Sequence, residues 1–262
     1  MENETKEIYK ENFTEYLLCL ALDVGEGMLK NGGEVARVED TVSRICRAYG
    51  ARHVEVFTIV SVIHASIRME DGSYSSQMRR VYATGVDLSA VERLNRLSRE
   101  VCRTRMPLAY FDARIHEAKS GAAYPRALLA AAFALAASSF AVFFGGGVRE
   151  GVTAALGGLL LYLVDSYSGR RMNGHFKTVL SSFFACLVAA LSAAIVGSNG
   201  GAVIMGSIML LVPGVALGVA MRDLLCGDII AGSLKLLQAL LTALMIAFGY
   251  ILAVSIVGGG LI

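Results

Sequence analysis

Residues 201–235 read GAVIMGSIMLLVPGVALGVAMRDLLCGDIIAGSLK, and this stretch decides the fold. It opens with about twenty apolar or small residues, which is enough for a helix to cross a bilayer. Pro213 lies near the middle of the run. Because proline lacks a backbone N–H, we expect the carbonyl of Met209 to lose its helical partner. In hydrocarbon such a break is tolerated only against protein or a water-filled cavity, so the stretch predicts a broken membrane helix.

Charged residues follow this break directly. Gly214 lets the backbone turn after the proline, and the apolar run ends at Arg222, Asp223 and Asp228. A break at membrane depth followed by carboxylates points to a solute pathway, so we predict pathway or gating roles for Pro213, Gly214 and these three charged residues. The alternative is that proline and glycine only kink the helix, while the aspartates flank a surface loop.

The charged residues divide the chain into two parts. The chain has 262 residues, of which 55% are hydrophobic and 18% charged. Residues 1–126 contain 36 of the 46 charged residues, 18 basic and 18 acidic. We therefore predict a polar N-terminal domain over residues 1–120 and a transmembrane domain over residues 121–262. The net charge of +2, without a basic cluster outside short loops, gives no indication of nucleic-acid binding.

Cysteine and histidine placement argues against a metal or redox site. The five cysteines form no C-x-x-C pair, and we interpret them as reduced, mostly packing residues, consistent with a cytosolic N-terminal domain. The four histidines are isolated from one another, and no glycine-rich loop precedes Lys-Ser or Lys-Thr. We predict no cofactor and no metal. The acidic, polar N-terminus lacks the basic segment and apolar core of a signal peptide.

The N-terminal domain begins with two predicted helices. Residues 13–29 have apolar side chains at a helical period, and Asp23 and Glu26 interrupt them, which favours an amphipathic helix. A second helix is predicted over residues 34–49. Arg37, Glu39 and Asp40 on this helix form a candidate ligand site. The alternative is a solvated face with local ion pairs, such as Asp40 with Arg44.

Strands and two further helices complete this small α+β domain. Alternation of β-branched residues predicts strands over residues 54–60, 61–69 and 76–82, with a hairpin turn at residues 70–73. Ser89 and Glu92 are spaced as a capping box at the start of the next helix. A last helix over residues 107–119 leads to the membrane.

The C-terminal half is predicted to be a multi-span α-helical membrane domain of about five spans. The expected spans are residues 127–147, 150–167, 177–197, 202–221 and 235–257. The fifth apolar stretch could begin near Ile229, but about 22 residues suffice to span. Lys235 would then lie at the membrane interface and extend its amine to water. The pairs Ala154/Gly158 and Gly214/Gly218 have the spacing that permits close helix packing.

Basic residues in the short loops predict the orientation. Arginines and lysines are concentrated before the first span, in the loop after the second span and at Arg222, while the other two loops have little positive charge. This bias places the N-terminal domain in the cytoplasm and the C-terminus at Ile262 outside. Asp165, near the cytoplasmic end of the second span, is a further candidate pathway acid; an interfacial residue facing water is the alternative.

Several short motifs resemble one family when taken in order. They are NGGEVARVEDTVSRICRAYG (31–50), EDGS (70–73), Tyr124-Pro125-Arg126, and LLVPG (210–214) followed by Asp223, Gly227, Asp228 and Gly232. In this order they resemble the threonine/serine exporter family, in the split form whose N-terminal half is a separate protein. The likeness covers nearly the whole chain.

This resemblance implies a bacterial inner-membrane exporter of small polar metabolites. The substrates would be threonine and serine, or dicarboxylates such as succinate in some split members. It also implies export coupled to the proton motive force and a second small five-span subunit. A membrane-anchored hydrolase or a ligand-sensing subunit remains the alternative, but five spans exceed what an anchor needs, and no nucleophile–base pair is evident.

Overall fold

The computed structural model describes residues 13–82, 85–121, 124–168, 173–197 and 199–257. Within these ranges most residues are helical. The elements in chain order are α1 (Phe13–Lys30), α2 (Val35–Ala48), β1 (Ala51–Ile59), β2 (Val62–Met69), β3 (Tyr74–Arg80), α3 (Leu88–Thr104), α4 (Leu108–Lys119), α5 (Arg126–Phe143), α6 (Val148–Ser168), α7 (Gly174–Val196), α8 (Gly200–Ile208), a 3-10 turn (Met209–Leu211), α9 (Gly214–Leu225) and α10 (Ile229–Val257).

The chain forms two compact units. The N-terminal unit contains the described residues up to 121 together with Val215–Leu237. The second unit contains the described residues of 124–214 and 238–257. The sequence analysis did not anticipate that residues 215–237 belong with the N-terminal residues. This membership brings the charged residues that follow the proline break into the same unit as α2.

The N-terminal unit contains a three-stranded antiparallel sheet in the order β1–β2–β3. The predicted hairpin turn is confirmed: Gly72 has φ +85°, and the Asp71 carboxylate accepts hydrogen bonds from the backbone N–H and hydroxyl of Ser73. Because these bonds close the turn tightly, pairing already begins at Tyr74 opposite Arg68. The third strand therefore starts two residues before the predicted residue 76.

Helix α1 is the centre of this unit, and its predicted amphipathic character is wrong. Its buried residues include Leu17, Leu20 and Val24, and also the acidic Asp23, which is 3% exposed. Asp23 lies 3.4 Å from the guanidinium of Arg79 on β3. A polar residue in this helix therefore does not mark a solvent face, because an arginine from the sheet partners it inside the core.

The start of α3 also differs from the prediction. The expected capping box of Ser89 and Glu92 does not form. Asp87 caps the helix instead, and its carboxylate accepts a hydrogen bond of 2.9 Å from the backbone N–H of Ala90. Glu92 pairs with Arg96 on the helix surface, 3.0 Å away. Aspartate is as good an N-cap as serine, so Asp87 caps a helix that begins at Leu88.

Small residues allow close helix packing in the second unit. A Cβ at Gly158 on α6 would lie 2.9 Å from the Ala137 side chain on α5, and one at Gly206 on α8 would lie 2.7 Å from the Ala137 carbonyl. Glycine is therefore required at both helix contacts. The expectation of close packing at Gly214 and Gly218 is not met among the described residues, because a Cβ at either would meet no atom within 4 Å.

Three described helices are long and apolar enough to cross a membrane. They are Arg126–Phe143, Gly174–Ser192 and Ile229–Val257. Helix α6 coincides with the expected second span but falls outside this set. The expected fourth span, residues 202–221, is not one helix: α8, the 3-10 turn and α9 divide it. Helix α10 begins six residues before the expected residue 235, so Lys235 lies inside a helix and not at its start.

Candidate functional site

The site begins with the N-terminus of α2, which lacks a cap of its own. Gly32 has φ +90°, and a Cβ at Gly33 would lie 2.8 Å from the Met28 carbonyl, so both glycines are needed for this tight turn. Glu34 occupies the N-cap position without a side-chain cap bond. The Val35 N–H donates instead to the carboxylate of Asp223, at 3.3 Å. A distant carboxylate therefore supplies the negative charge that a helix N-terminus favours.

Asp223 is held in place by the turn between α9 and α10. Gly227 has φ +95°, the Asp228 N–H donates to the Asp223 carbonyl at 2.9 Å, and the Gly227 N–H donates to the Leu224 carbonyl. These two bonds form a Schellman motif, in which a left-handed glycine ends the helix. A Cβ at Gly232 on α10 would lie 2.8 Å from the Leu224 nitrogen. We call α9, this turn and the first turns of α10 the hairpin.

Lys235 forms a buried ion pair with Asp223. Its amine lies 2.7 Å from the carboxylate and 3.2 Å from the Gly33 carbonyl, to which it also donates. The side chains of Asp223 and Lys235 are 1% and 13% exposed. The prediction that Lys235 extends to water at the membrane interface is wrong, because its amine is held inside the unit. Both charges are satisfied inside the unit because each has a second, backbone partner.

A second ion pair lies beside the first. The Arg222 guanidinium is 2.7 Å from the carboxylate of Glu34, and Arg37 lies 3.7 Å from the same carboxylate. Val35, Val60 and Ala231 form a small apolar cluster in the same unit, and all three are buried. The hairpin is therefore joined to the start of α2 by one ion pair, by the bonds of Asp223 to Val35 and of Lys235 to Gly33, and by an apolar contact.

Two further carboxylates belong to this group. Glu39 accepts a hydrogen bond of 2.7 Å from the Thr58 N–H. Burial raises the pKa of Glu39, the bond from Thr58 opposes this, and the charge of Asp228 adds to it. Burial also raises the pKa of Asp228, the charge of Asp223 adds to the increase, and Lys235 opposes it. Both groups therefore bind a proton more tightly than a free carboxyl does.

We refer to these residues together as the hairpin cluster. Its members are Glu34, Glu39, Arg222, Asp223, Asp228 and Lys235. Sequence reasoning named four of them in two separate groups and missed Glu34 and Lys235. A signal for both existed: Glu34 follows two glycines at a helix start, and Lys235 is a lone lysine in an apolar run. Four carboxylates and two cations leave an excess of negative charge when all are ionised.

The expected ligand site of Arg37, Glu39 and Asp40 is divided among separate contacts. Arg37 faces Glu34, Glu39 bonds to β1, and Asp40 lies 2.8 Å from Arg44 on the exposed surface of α2. The predicted Asp40–Arg44 ion pair is confirmed. Of the three residues, only Glu39 is coupled to the hairpin.

The break at Pro213 takes a specific form in the structure. Val212 is extended, with φ −65° and ψ 126°, as expected for a residue before proline. The Met209 carbonyl was expected to lose its partner, but it accepts the Val212 N–H at 3.4 Å in the 3-10 turn. The helix tightens before it breaks, and this satisfies the carbonyl. Gly214 begins α9 and donates its N–H to the Val212 carbonyl.

Ser207 is a candidate that the sequence analysis missed. It is fully buried on α8, and its hydroxyl has no hydrogen-bond partner among the described residues. It faces Gly157 on α6, where a Cβ would lie 2.6 Å from the hydroxyl oxygen. A polar residue six positions before the proline in an apolar run was the available signal.

Asp165 lies in the second unit and is paired with Lys177 on α7. The two side chains are 57% and 27% exposed. No group of three or more histidine, cysteine, aspartate or glutamate side chains that could hold a metal occurs in the part of the chain that the structure describes.

The comparison with family models covers both units. Residues 19–257 match the model of the threonine/serine exporter family. The chain belongs to this family. It is similar to a "Probable threonine/serine exporter" from Mycobacterium tuberculosis, with 27% identity over 251 residues. That alignment covers 92% of this chain and 46% of the relative, so the chain spans about half the length of the curated relative it matches. No solved structure matches the chain.

Family membership also connects the two stretches that meet in the hairpin cluster. Gly33, Glu34 and Val35 belong to the first quoted motif, and Asp223, Asp228 and Gly232 to the last. The family is one of membrane transporters.

Proposed function

We propose that the chain is one subunit of an inner-membrane exporter of small polar metabolites, threonine and serine or a dicarboxylate such as succinate, driven by the proton motive force. The observation that carries this proposal is the buried Asp223–Lys235 ion pair just after the helix break, because its two groups also bond to the Val35 N–H and the Gly33 carbonyl at the start of α2. A pair of this kind is stable in one arrangement and costly in another, as a gate requires.

In this proposal the helix break is the hinge, and the hairpin cluster is the gate. Pro213 and Gly214 form the hinge, since a 3-10 turn and the extended Val212 separate them from α8. Arg222 and Asp223 hold the hairpin against α2 when the gate is closed. Asp228 takes up and releases the coupling proton, which its raised pKa favours. Asp165 is proposed as a further pathway acid that is not essential for export.

We propose that the N-terminal unit is cytoplasmic and that five segments span the membrane. One contact supports the arrangement of the spans: Glu150, near the start of α6, accepts backbone N–H bonds from Gly147 and from Asn199. The turns before α6 and before α8 therefore lie on the same side of the second unit. Both have little positive charge, as expected outside the cell. Arg170, Arg171 and Ile262, used for the orientation, lie outside the described residues.

Orientation is tested by a reporter fused after Ile262. Alkaline phosphatase should be active there and green fluorescent protein dark, because an odd number of spans places the C-terminus opposite the cytoplasmic N-terminal unit. Activity only of the cytoplasmic reporter would mean an even number of spans.

A second five-span subunit is part of the proposal. Many transporters bind substrate between two repeats of opposite orientation, and a unit with an odd number of spans requires an inverted partner. The loop charges of this chain fix a single orientation. Efflux of preloaded threonine, serine and succinate should therefore require co-expression with a five-span partner in a strain lacking both. Full efflux from this chain alone would favour a homo-oligomer instead.

A further inference from the structure

Helix α3 presents a line of arginines on its outer side. Its inner side carries Leu94, Leu97 and Val101, all buried in the core of the N-terminal unit. Because those positions point inward, the opposite side faces solvent. We define the arginine face as the exposed Arg96, Arg99 and Arg103 of α3 together with Arg114 of the neighbouring α4.

This face is concave. Two cavities of about 550 and 230 Å³ lie along it and share Arg96 and Glu100. Arg99 and Arg103 line the larger cavity, and Arg114 lines the smaller one. The guanidinium groups therefore surround open space in which a charged group can be accommodated.

The positive charge is not balanced locally. Residues 88–126 contain eight basic and four acidic residues, whereas residues 1–87 contain ten basic and fourteen acidic residues. Arg96 pairs with Glu92, and Arg114 pairs with both Glu100 and Glu117. Arg99 and Arg103 have no ion pair within the described ranges. Guanidinium groups bind carboxylate and phosphate oxygens in a two-pronged geometry, so an unneutralised row of them is suited to a ligand that carries such oxygens.

Two further features indicate where such oxygens come from. Tyr110 on α4 is 53% exposed, and its ring lies 5.9 Å from the Arg114 guanidinium. Exposed tyrosine beside arginine is typical of the membrane–water interface. Only six residues separate the end of α4 at Lys119 from the start of the apolar α5 at Arg126. The chain thus enters its first membrane helix directly after this face.

We propose that the arginine face binds the phosphate headgroups of anionic lipids on the cytoplasmic leaflet. Anionic leaflets attract clusters of basic residues next to a membrane helix, and the attraction weakens with salt. Binding here holds α3 and α4 at the bilayer surface, and this does not depend on which metabolite is exported.

The test uses the absence of tryptophan from this chain. Tyr110→Trp places a single tryptophan beside Arg114. The full chain is reconstituted in vesicles of phosphatidylcholine, with and without phosphatidylglycerol, and quenching by headgroup-labelled spin lipids is measured. We expect several-fold stronger quenching in the anionic vesicles, which decreases as salt is raised.

Two sets of substitutions in the Tyr110→Trp background distinguish the arginine face from general basicity. Arg96→Gln, Arg99→Gln and Arg103→Gln together should reduce quenching to the level in neutral vesicles. The control is Arg47→Gln, Arg52→Gln and Arg68→Gln, which removes the same charge from exposed sites elsewhere in the unit and should leave quenching unchanged. Equal quenching in both lipids, an equal loss in the control, or displacement by inorganic phosphate at constant ionic strength would overturn the proposal.

Discussion

Two aspartate–lysine pairs in this chain have the same chemistry and opposite surroundings. Asp223 and Lys235 are 1% and 13% exposed, and each also bonds to a backbone group of the turn before α2. Asp165 and Lys177 are 57% and 27% exposed. Removing one partner of a buried pair costs about 3–5 kcal/mol, whereas an exposed pair contributes about 0–1 kcal/mol. Burial, and not charge type, therefore distinguishes the two pairs, and only the buried pair has the energy that the proposed gate requires.

The largest effect is expected from Asp223→Asn. The substitution leaves the Lys235 amine without its carboxylate and weakens the cap on the Val35 N–H. We expect export to be abolished while the protein remains in the membrane, because the hairpin is no longer held closed. Efflux and the amount of membrane-inserted protein measure the two effects separately.

The two partners of Asp223 can be distinguished by further variants. Lys235→Gln removes the ion pair but keeps the bond from Val35, so we expect a smaller loss of export than with Asp223→Asn. The exchange Asp223→Lys with Lys235→Asp restores a pair but leaves a cation at the helix N-terminus, and it should not restore export. Normal export in Asp223→Asn would contradict the gate.

The next effect in size is expected from Gly232→Ala. A Cβ at this position would lie 2.8 Å from the Leu224 nitrogen, so α9 and α10 must move apart. Overpacking of this kind costs about 1–3 kcal/mol. We expect export to fall about tenfold or more, since 1.4 kcal/mol corresponds to a factor of ten. Gly218→Ala on α9 is the matched control, because its Cβ would meet no atom within 4 Å and export should be unchanged.

Much of the N-terminal unit was predictable because its signals are local. Alternating β-branched residues and the turn at Gly72 indicated the strands, and the glycines after α1 indicated where that helix ends. The membrane half was predictable where apolar runs are uninterrupted. The break at Pro213 was expected, but the 3-10 turn that satisfies Met209 was not. Whether a carbonyl before a proline finds another N–H donor depends on the conformation of the backbone that precedes the proline.

The site itself was less predictable because it depends on residues far apart in sequence. Asp223 and Val35 are 188 positions apart, and nothing local pairs them. Asp23 on α1 was misinterpreted for the same reason, since its partner Arg79 comes from the sheet. A charged residue in an apolar stretch indicates a polar role. The sequence around it does not show whether the side chain faces solvent or pairs with a buried partner.

An intermediate effect on export, with a definite pH dependence, is expected from Asp228→Asn. Its pKa is raised in the closed cluster, so the closed form binds the proton more tightly than the open form does. The closed form therefore loses stability as the pH rises from the ordinary carboxyl range through the raised pKa, and the loss is complete above it. Asp228→Asn removes this dependence and should keep the hairpin closed at neutral pH, with reduced export.

Opening of the hairpin can be followed by thiol labelling. Ala231 is 2% exposed beside Val35, so Ala231→Cys in a chain with Cys226→Ser reports separation from α2. The exposed Cys226 of the parent chain gives the intrinsic labelling rate at each pH. We divide the labelling rate of the Ala231→Cys chain by the labelling rate of Cys226 in the parent chain. We expect this ratio to rise with pH through the carboxyl range and to be independent of pH after Asp228→Asn. If the ratio still rose with pH in the Asp228→Asn variant, another group would bind the proton, and Glu39 would be the next candidate.

The smallest effect is expected from Asp165→Asn. The carboxylate and Lys177 are both open to water, so loss of the pair changes stability by at most about 1 kcal/mol and export by no more than about fivefold. Lys177→Gln should have the same size of effect, and the double variant should equal either single one, because each removes the same interaction. Thermal unfolding in detergent and efflux measure the two quantities. If Asp165→Asn abolished export without changing stability, Asp165 would be an essential pathway acid, and exposure alone would no longer separate the two pairs.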